Sequence, residues 1–402
     1  MRLNEIQFAL VCFLIVPMSG LCIDLYAPSL PAIANAFSVS EVLTKYSISF
    51  YLLSFGIFQL FAGPITDRFG RKAPMLVGLI GFVIVSYAMT LLTSFYLFLL
   101  FRIFQGVCIS LAGVSARAII PDVFKGSEYK KMMNYMTIIW ALGPIVAPFI
   151  GGYLQHYLGW RSPFYFLSMY GVIMSLLTCF MYRETLKQKT TLSLKSSFMG
   201  YAEMACHNRF VLGTICLGLL YSFLVIFSVI GVFVIDNTLG YSSITFGKTA
   251  LLMGFGWFLG NMLNRFFLHY SETFNRYKMY VAMIISILSC LFLGLLPLIF
   301  GQHLWLLCVF MFISMLAGGV VFPNFFALCI GYFAHKAGSA NAFMGACFIL
   351  LSSGFTFIFG AIGIVSISGL AEVVLVFSVI CLMLIMRLFS LDRKEVNQKK
   401  RI

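Results

Sequence analysis

The chain has 402 residues, 61% of them hydrophobic and only 10% charged, with a formal net charge of +14. A soluble domain carries roughly a quarter charged residues, so this composition excludes a water-soluble enzyme, a secreted disulfide domain and a disordered chain. It also argues against a membrane β-barrel, whose strands alternate polar and apolar residues.

A helix needs roughly 20 apolar residues to cross a bilayer. Twelve such stretches are predicted, at 6–33, 45–66, 74–94, 96–118, 130–154, 162–181, 209–235, 245–267, 277–299, 303–327, 338–362 and 367–390. The first lies behind Arg2 like a signal peptide, but no small-residue cleavage site follows, and Asp24, Pro28 and Pro31 carry the span onward. After the sixth span the polar stretch around Lys187, Lys189, Thr190, Thr191, Ser193 and Lys195 interrupts the pattern. The predicted organisation is a six-helix bundle over 1–181, a linker over 182–208, a second bundle over 209–390 and a basic tail over 391–402. The fold class is therefore all-α and polytopic.

Lys45, Arg161 and Lys248 are the only basic residues on one side of this arrangement, and Arg102 lies within a span. The remaining Lys and Arg collect on the other side, which places both termini in the cytoplasm and explains the positive charge without nucleic acid. The eleven cysteines fall almost wholly within spans and show no C-x-x-C spacing, so they read as apolar thiols. The five histidines have no paired spacing, and no metal site is expected. No G-x-x-x-x-G-K-[ST] loop occurs, and no H-E-x-x-H or nucleophile–base spacing points to an enzyme. Uphill movement of a solute would draw on an ion gradient or on a partner chain, with no cofactor expected beyond a proton gradient.

The segment from Gly63 to Phe69 has an echo 197 positions later, where Gly260, Asn264, Arg265 and Phe266 match Gly63, Asp67, Arg68 and Phe69. Related halves around a central cavity are the architecture of many secondary transporters. Among the acids only Asp24 lies well inside a span. An intramembrane charge is expensive and marks a cavity or a partner, and a carboxyl withdrawn from water holds its proton more readily. Asp24 is thus the expected proton carrier, with Arg102 as the cation beside it; the plainer readings are a helix cap for Asp24 and a fixed ion pair for Arg102. Tyr26, Tyr46, Gln105, Tyr221, Trp257 and Asn324 are candidate cavity residues, the aromatics being suited to organic cations.

The loop Gly63-Pro-Ile-Thr-Asp67-Arg68-Phe69-Gly70-Arg71-Lys72 has the form G-x-x-x-D-R-F-G-R-K, with Gly63 allowing close helix approach and Gly70 a tight turn. It closely resembles the signature loop of the major facilitator superfamily. Arg102-Ile-Phe-Gln105-Gly106 is similar to that family's R-x-x-Q-G motif. Gly143-Pro144 followed by Pro148-Phe-Ile-Gly151-Gly152 is similar to the drug:proton antiporters' G-P-x-x-G-G motif, with Ala147-Pro148 as a departure in spacing. Asp24-Leu-Tyr26-Ala-Pro28-Ser-Leu-Pro31 and Phe322-Pro323-Asn324 resemble the bicyclomycin-resistance (Bcr/CflA) branch.

The resemblance implies a twelve-helix major facilitator fold and a monomeric, proton-coupled antiporter exporting small organic molecules or drugs across a bacterial inner membrane. It implies a coupling role for Arg102, and a charge relay of Asp67, Arg71 and Asp122 that latches the two halves together on the cytoplasmic side, with Arg68 and Lys72 anchoring that face. Gly143, Pro144, Pro148, Gly151 and Gly152 are expected to kink the fifth span and admit the eighth, at Gly254, Gly256 and Gly260. A dedicated carrier for a siderophore, amino acid, nucleoside or sugar, even an importer, fits the same fold; Arg102 would then meet an anionic substrate group.

Overall fold

The computed structural model describes residues 3–186, 194–267, 271–333 and 336–399. The basic segment around Lys187 to Ser193 lies outside the described residues. The first span is not one helix. It runs as α1 (Leu3–Ile15), α2 (Met18–Asp24), a 3₁₀ turn (Ala27–Ser29) and α3 (Leu30–Phe37). Pro17, Pro28 and Pro31 remove N–H donors that a continuous helix would need, so the chain breaks at Asp24 rather than passing through it.

The rest of the first half comprises α4 (Glu41–Phe69), α5 (Lys72–Met89), α6 (Phe95–Val123), α7 (Gly126–Leu158) and α8 (Ser162–Met181). A further helix, α9 (Leu194–Cys206), occupies the linker. The second half holds α10 (Asn208–Ile226), extended by two π-helical turns (Phe227–Gly231 and Val234–Thr238), and α11 (Ser243–Phe266). It continues with α12 (Glu272–Phe300), α13 (Leu304–Tyr332), α14 (Ala337–Ala361) and α15 (Ile367–Lys399), the last running through most of the predicted basic tail.

Ten membrane-crossing segments are long and apolar enough by length and composition among the described residues. α7, with 33 residues, and α11, with 24, complete the twelve. Ile84, Phe180 and Leu298 are 62%, 81% and 78% exposed. Such outward apolar faces need lipid around them, and the chain is a multi-pass membrane protein.

The packing repeats between the halves. In the first, α6 lies against α4 and α5, and α5 against α8; in the second, α13 lies against α11 and α12, and α12 against α15. Two seams join the halves, α4 with α14 and α7 with α11, so each half offers its second span to the fifth span of the other. Both seams use glycine. At Gly56 a Cβ would stand 2.8 Å from Leu350 Cγ, and at Gly254 it would stand 2.9 Å from Ile145 Cα. α7 also receives α2, where Gly151 faces the Leu25 carbonyl, and α11 again where a Cβ at Gly152 would stand 2.5 Å from Ser243 O. Gly247, absent from the sequence reading, approaches Pro148 O. Gly256 and Gly260 pack instead on α13, at Phe312 and Leu316. Despite Pro144 and Pro148, α7 is one helix from end to end.

The bundle has two distinct ends. One carries the α4–α5 loop, the end of α6 and the linker; the other carries the α3–α4 and α14–α15 loops. They are called the basic end and the far end below.

Candidate functional site: a buried carboxylate on the seam and two arginines on one helix

Asp24 is 7% exposed and ends α2. Its Oδ1 accepts a hydrogen bond from Ser228 Oγ at 2.9 Å, in the π-helical turn after α10. The expected proton carrier therefore touches the other half of the protein. Ser228 was missed because a serine in an apolar run carries no signal of which way it faces.

Arg102 is not the partner of Asp24. It is fully buried in the first half, its guanidinium held between the rings of Tyr26 and Tyr51 at 4.3 and 4.4 Å. Nε donates to Ser47 O at 3.2 Å, Nη2 to Cys22 O at 3.0 Å, and Nη1 to Gln105 Oε1. Gln105 Nε2 donates in turn to Ser86 Oγ at 2.8 Å. α2 ends two residues beyond Cys22, so that carbonyl lacks a helical donor and is free for the arginine. Arg102 thus secures the backbone that presents Asp24 and makes no ion pair with it. Tyr26, bonded to Ser47 Oγ at 2.8 Å, and Gln105 belong to this cage and not to a cavity.

The other predicted cavity residues also divide. Tyr221 and Trp257 line a narrow pocket with Pro144, Ile145, Leu224, Gly254 and Phe322, at the α7–α11 seam. Tyr46 stacks on Phe357 across the α4–α14 seam, ring centres 4.3 Å apart. Asn324 lies elsewhere, donating to Asn264 Oδ1 at 2.9 Å.

At the basic end, Arg71 Nε donates to Asp122 Oδ2 at 3.0 Å, and Nη1 reaches Asp67 Oδ1 and Thr66 Oγ1. The predicted relay is assembled, but all three of its residues belong to the first half. It is a clasp between α4, α5 and α6 rather than a latch between halves. Lys72 Nζ donates to Cys179 O at 2.9 Å, and Arg68 lies against the ring of Phe69. Gly70, at φ +93°, turns the chain where a side chain would strike Glu184.

Glu184 is the member the sequence reading missed. Its Oε1 accepts from the backbone N–H groups of Arg71, Thr185 and Leu186 at 2.9, 3.0 and 3.0 Å. Its Oε2 accepts from Lys72 N at 3.0 Å. Burial pushes this carboxyl up, but bonds from Arg71, Leu186, Lys72 and Thr185 outweigh it and hold it below the usual carboxylate range. Arg71 is desolvated, yet Asp122 and Asp67 raise it above its ordinary value. An acid directly after a span, in a stretch otherwise basic, was the available signal.

The second-half echo has an amide, Asn264, where the first half has the Asp67 carboxylate. Asn264 Oδ1 accepts from Lys278 Nζ at 2.6 Å as well as from Asn324. The glycines of the two motifs also differ: a Cβ at Gly63 would meet nothing within 4 Å, whereas Gly260 lies against the Leu316 carbonyl and Val320 N. Close approach is a property of Gly260 alone.

With repeated halves, two seams and a carboxylate between them, the sequence itself decides the family, since residues 12–356 match the model of the Major Facilitator Superfamily. The chain belongs to this family. It is a transporter of small molecules and not an enzyme. It is 28% identical over 360 residues to the uncharacterized MFS-type transporter YdgK of Bacillus subtilis, covering 87% of each chain. It is 31% identical over 173 residues to the bicyclomycin resistance protein homolog of Haemophilus influenzae, covering 43% of this chain and 44% of that one. A bacterial homologue of the human lysosomal transporter Spinster, solved inward-facing and unoccupied, shares the fold at a TM-score of 0.73 with 15% identity, over 98% of both chains.

Proposed function

We propose that this chain is a proton-coupled antiporter that exports small organic molecules across a bacterial inner membrane, monomeric and with both termini in the cytoplasm. Two things support this reading: the likeness to a bicyclomycin resistance protein homolog, and Asp24, a buried acid bonded across the seam to Ser228. The second observation carries it. A charged Asp24 accepts from Ser228 and draws the halves together there. A protonated Asp24 has lost that charge-assisted acceptor, which weakens the contact. Proton binding thereby acts on the equilibrium between two arrangements of the halves, and a ligand shifts such an equilibrium only by preferring one of them.

In the described residues the halves are also tied at the far end, where Asn237 Nδ2 donates to Glu41 and the buried Lys45 reaches Ile364 O at 3.4 Å over the Phe233 ring. Those contacts must open for release on that side. The test is purified protein in liposomes holding an interior pH dye. Wild type should move protons when an organic substrate is supplied, and Asp24→Asn should move substrate without protons or not at all. Unchanged proton stoichiometry in Asp24→Asn would remove the coupling role.

A further inference from the structure

α6 carries two interior arginines, and the protein treats them differently. Arg102 is fully engaged by carbonyls, an amide and two rings. Arg117 lies 15 residues further on, about 22 Å along the helix and about 60° around it. The sequence reading counted Arg117 with the cytoplasmic basic residues, at the very end of its fourth span, 96–118, but α6 continues six residues beyond it to Val123. Only two of its five N–H donors are used: Nε to Gly113 O at 3.3 Å and Nη2 to Gln59 Oε1 at 3.2 Å. No carboxylate lies within ion-pair distance among the described residues.

Two features distinguish this from an arginine stretching toward water. Snorkelling would carry the guanidinium to the nearer helix end, yet its bond to Gly113 turns it back into the bundle. Gly113 is itself buried, and a Cβ there would meet nothing within 4 Å, so open space lies beside it. The space adjoins the seam, because Gln59 Nε2 donates to Ala342 O of α14 at 3.3 Å. We infer that Arg117 is a substrate-binding residue and that the transported molecules carry an anionic group, such as a carboxylate, which takes the unused donors of its guanidinium. Planar donors of this kind match a carboxylate in a paired geometry. The arriving oxygen competes with the Gln59 amide, so binding loosens the Gln59–Ala342 contact between the halves. The inference rests on the transporter reading above and narrows its substrate class.

The test is binding to detergent-purified protein, which needs no proton gradient. Dansylglycine, a monoanion at neutral pH, is compared with its neutral amide by fluorescence, with tetraphenylphosphonium as the cationic competitor. Wild type should prefer the carboxylate by about tenfold, the size of one charge-assisted contact. Arg117→Gln should bind the two probes equally. Arg117→Met removes the charge without leaving a polar group and serves if the glutamine variant folds poorly. Melting temperature reports folding in each. Asp24→Asn should keep the carboxylate preference, so a failure of proton coupling leaves this result intact. A wild type that favours the amide, binds neither probe or yields only to tetraphenylphosphonium overturns the proposal, as does a folded Arg117 variant that retains the preference.

Discussion

The two halves repeat the same backbone and use it for different ends. In the first, the loop after the second span closes on charge: Arg71 meets Asp67 and Asp122, and Glu184 caps the start of α5. In the second, the same place holds Asn264, Lys278 and Asn324, joined by hydrogen bonds with no carboxylate among them. The glycines diverge in the opposite sense, since Gly63 faces open space and Gly260 is pressed on α13. The first half is held at the basic end by electrostatics and the second by close packing. Sequence similarity between the motifs reports common descent of the backbone, and the stabilising force behind each copy has to be found separately.

Glycine-to-alanine exchange should break this comparison most sharply. Gly260→Ala forces a methyl onto the Leu316 carbonyl and Val320 N, and overpacking of this kind costs about 1–3 kcal/mol or more. Gly63→Ala meets no neighbour and replaces a poor helix former, worth up to about 1 kcal/mol in the stabilising direction. Opposite shifts in detergent melting temperature are expected, and equal shifts would mean that the two positions are packed alike. The charged cluster gives the next effect. Arg71→Ala leaves Asp67 and Asp122 facing each other with their shared donor gone and should cost about 2 kcal/mol. Lys278→Ala, in the echo where no carboxylate among the described residues faces the lysine, should cost less than about 1 kcal/mol in the same assay.

The smallest effect is a pH dependence confined to one half. The Glu184 carboxyl is held below its ordinary value in the folded protein, so its contribution is complete above the unfolded carboxyl range. It is lost as pH falls through the folded value. Melting temperature followed from neutral pH into the acid range should therefore drop more steeply for wild type than for Glu184→Gln. Parallel curves would show that the cap contributes no pH dependence.

Much of this was legible in the sequence. Apolar runs of the right length gave the spans, because a bilayer imposes one length on every helix. The family resemblance gave the Asp67–Arg71–Asp122 cluster, with Asp67 and Arg71 in the loop motif and Asp122 at the end of the fourth span. The angular and axial facts were hidden. Asp24 and Arg102 are both ionisable and both in the membrane, which suggests a pair, but one faces the seam and the other the interior of its own half. Arg117 was lost to an axial error: the span was drawn to end one residue after it, whereas α6 runs on to Val123, so the arginine was counted with the cytoplasmic charges. The prolines around Asp24 were visible, but their effect, a helix ending at the carboxylate, depends on which backbone groups find donors elsewhere. Glu184 stood out only as an acid in a basic stretch; that it acts through the main-chain N–H groups of Arg71 and Lys72 depends on the folded backbone.

Two of the three polar acceptors around Arg102 are main-chain carbonyls, those of Cys22 and Ser47, and only Gln105 is a side chain. The part of the seat made from backbone does not depend on the side chain at position 22, whereas at position 47 the Ser47 hydroxyl also holds Tyr26, one of the two flanking rings. Mutational drift at position 22 can therefore change a side chain two residues from Asp24 while the anchor of the first helix stays in place.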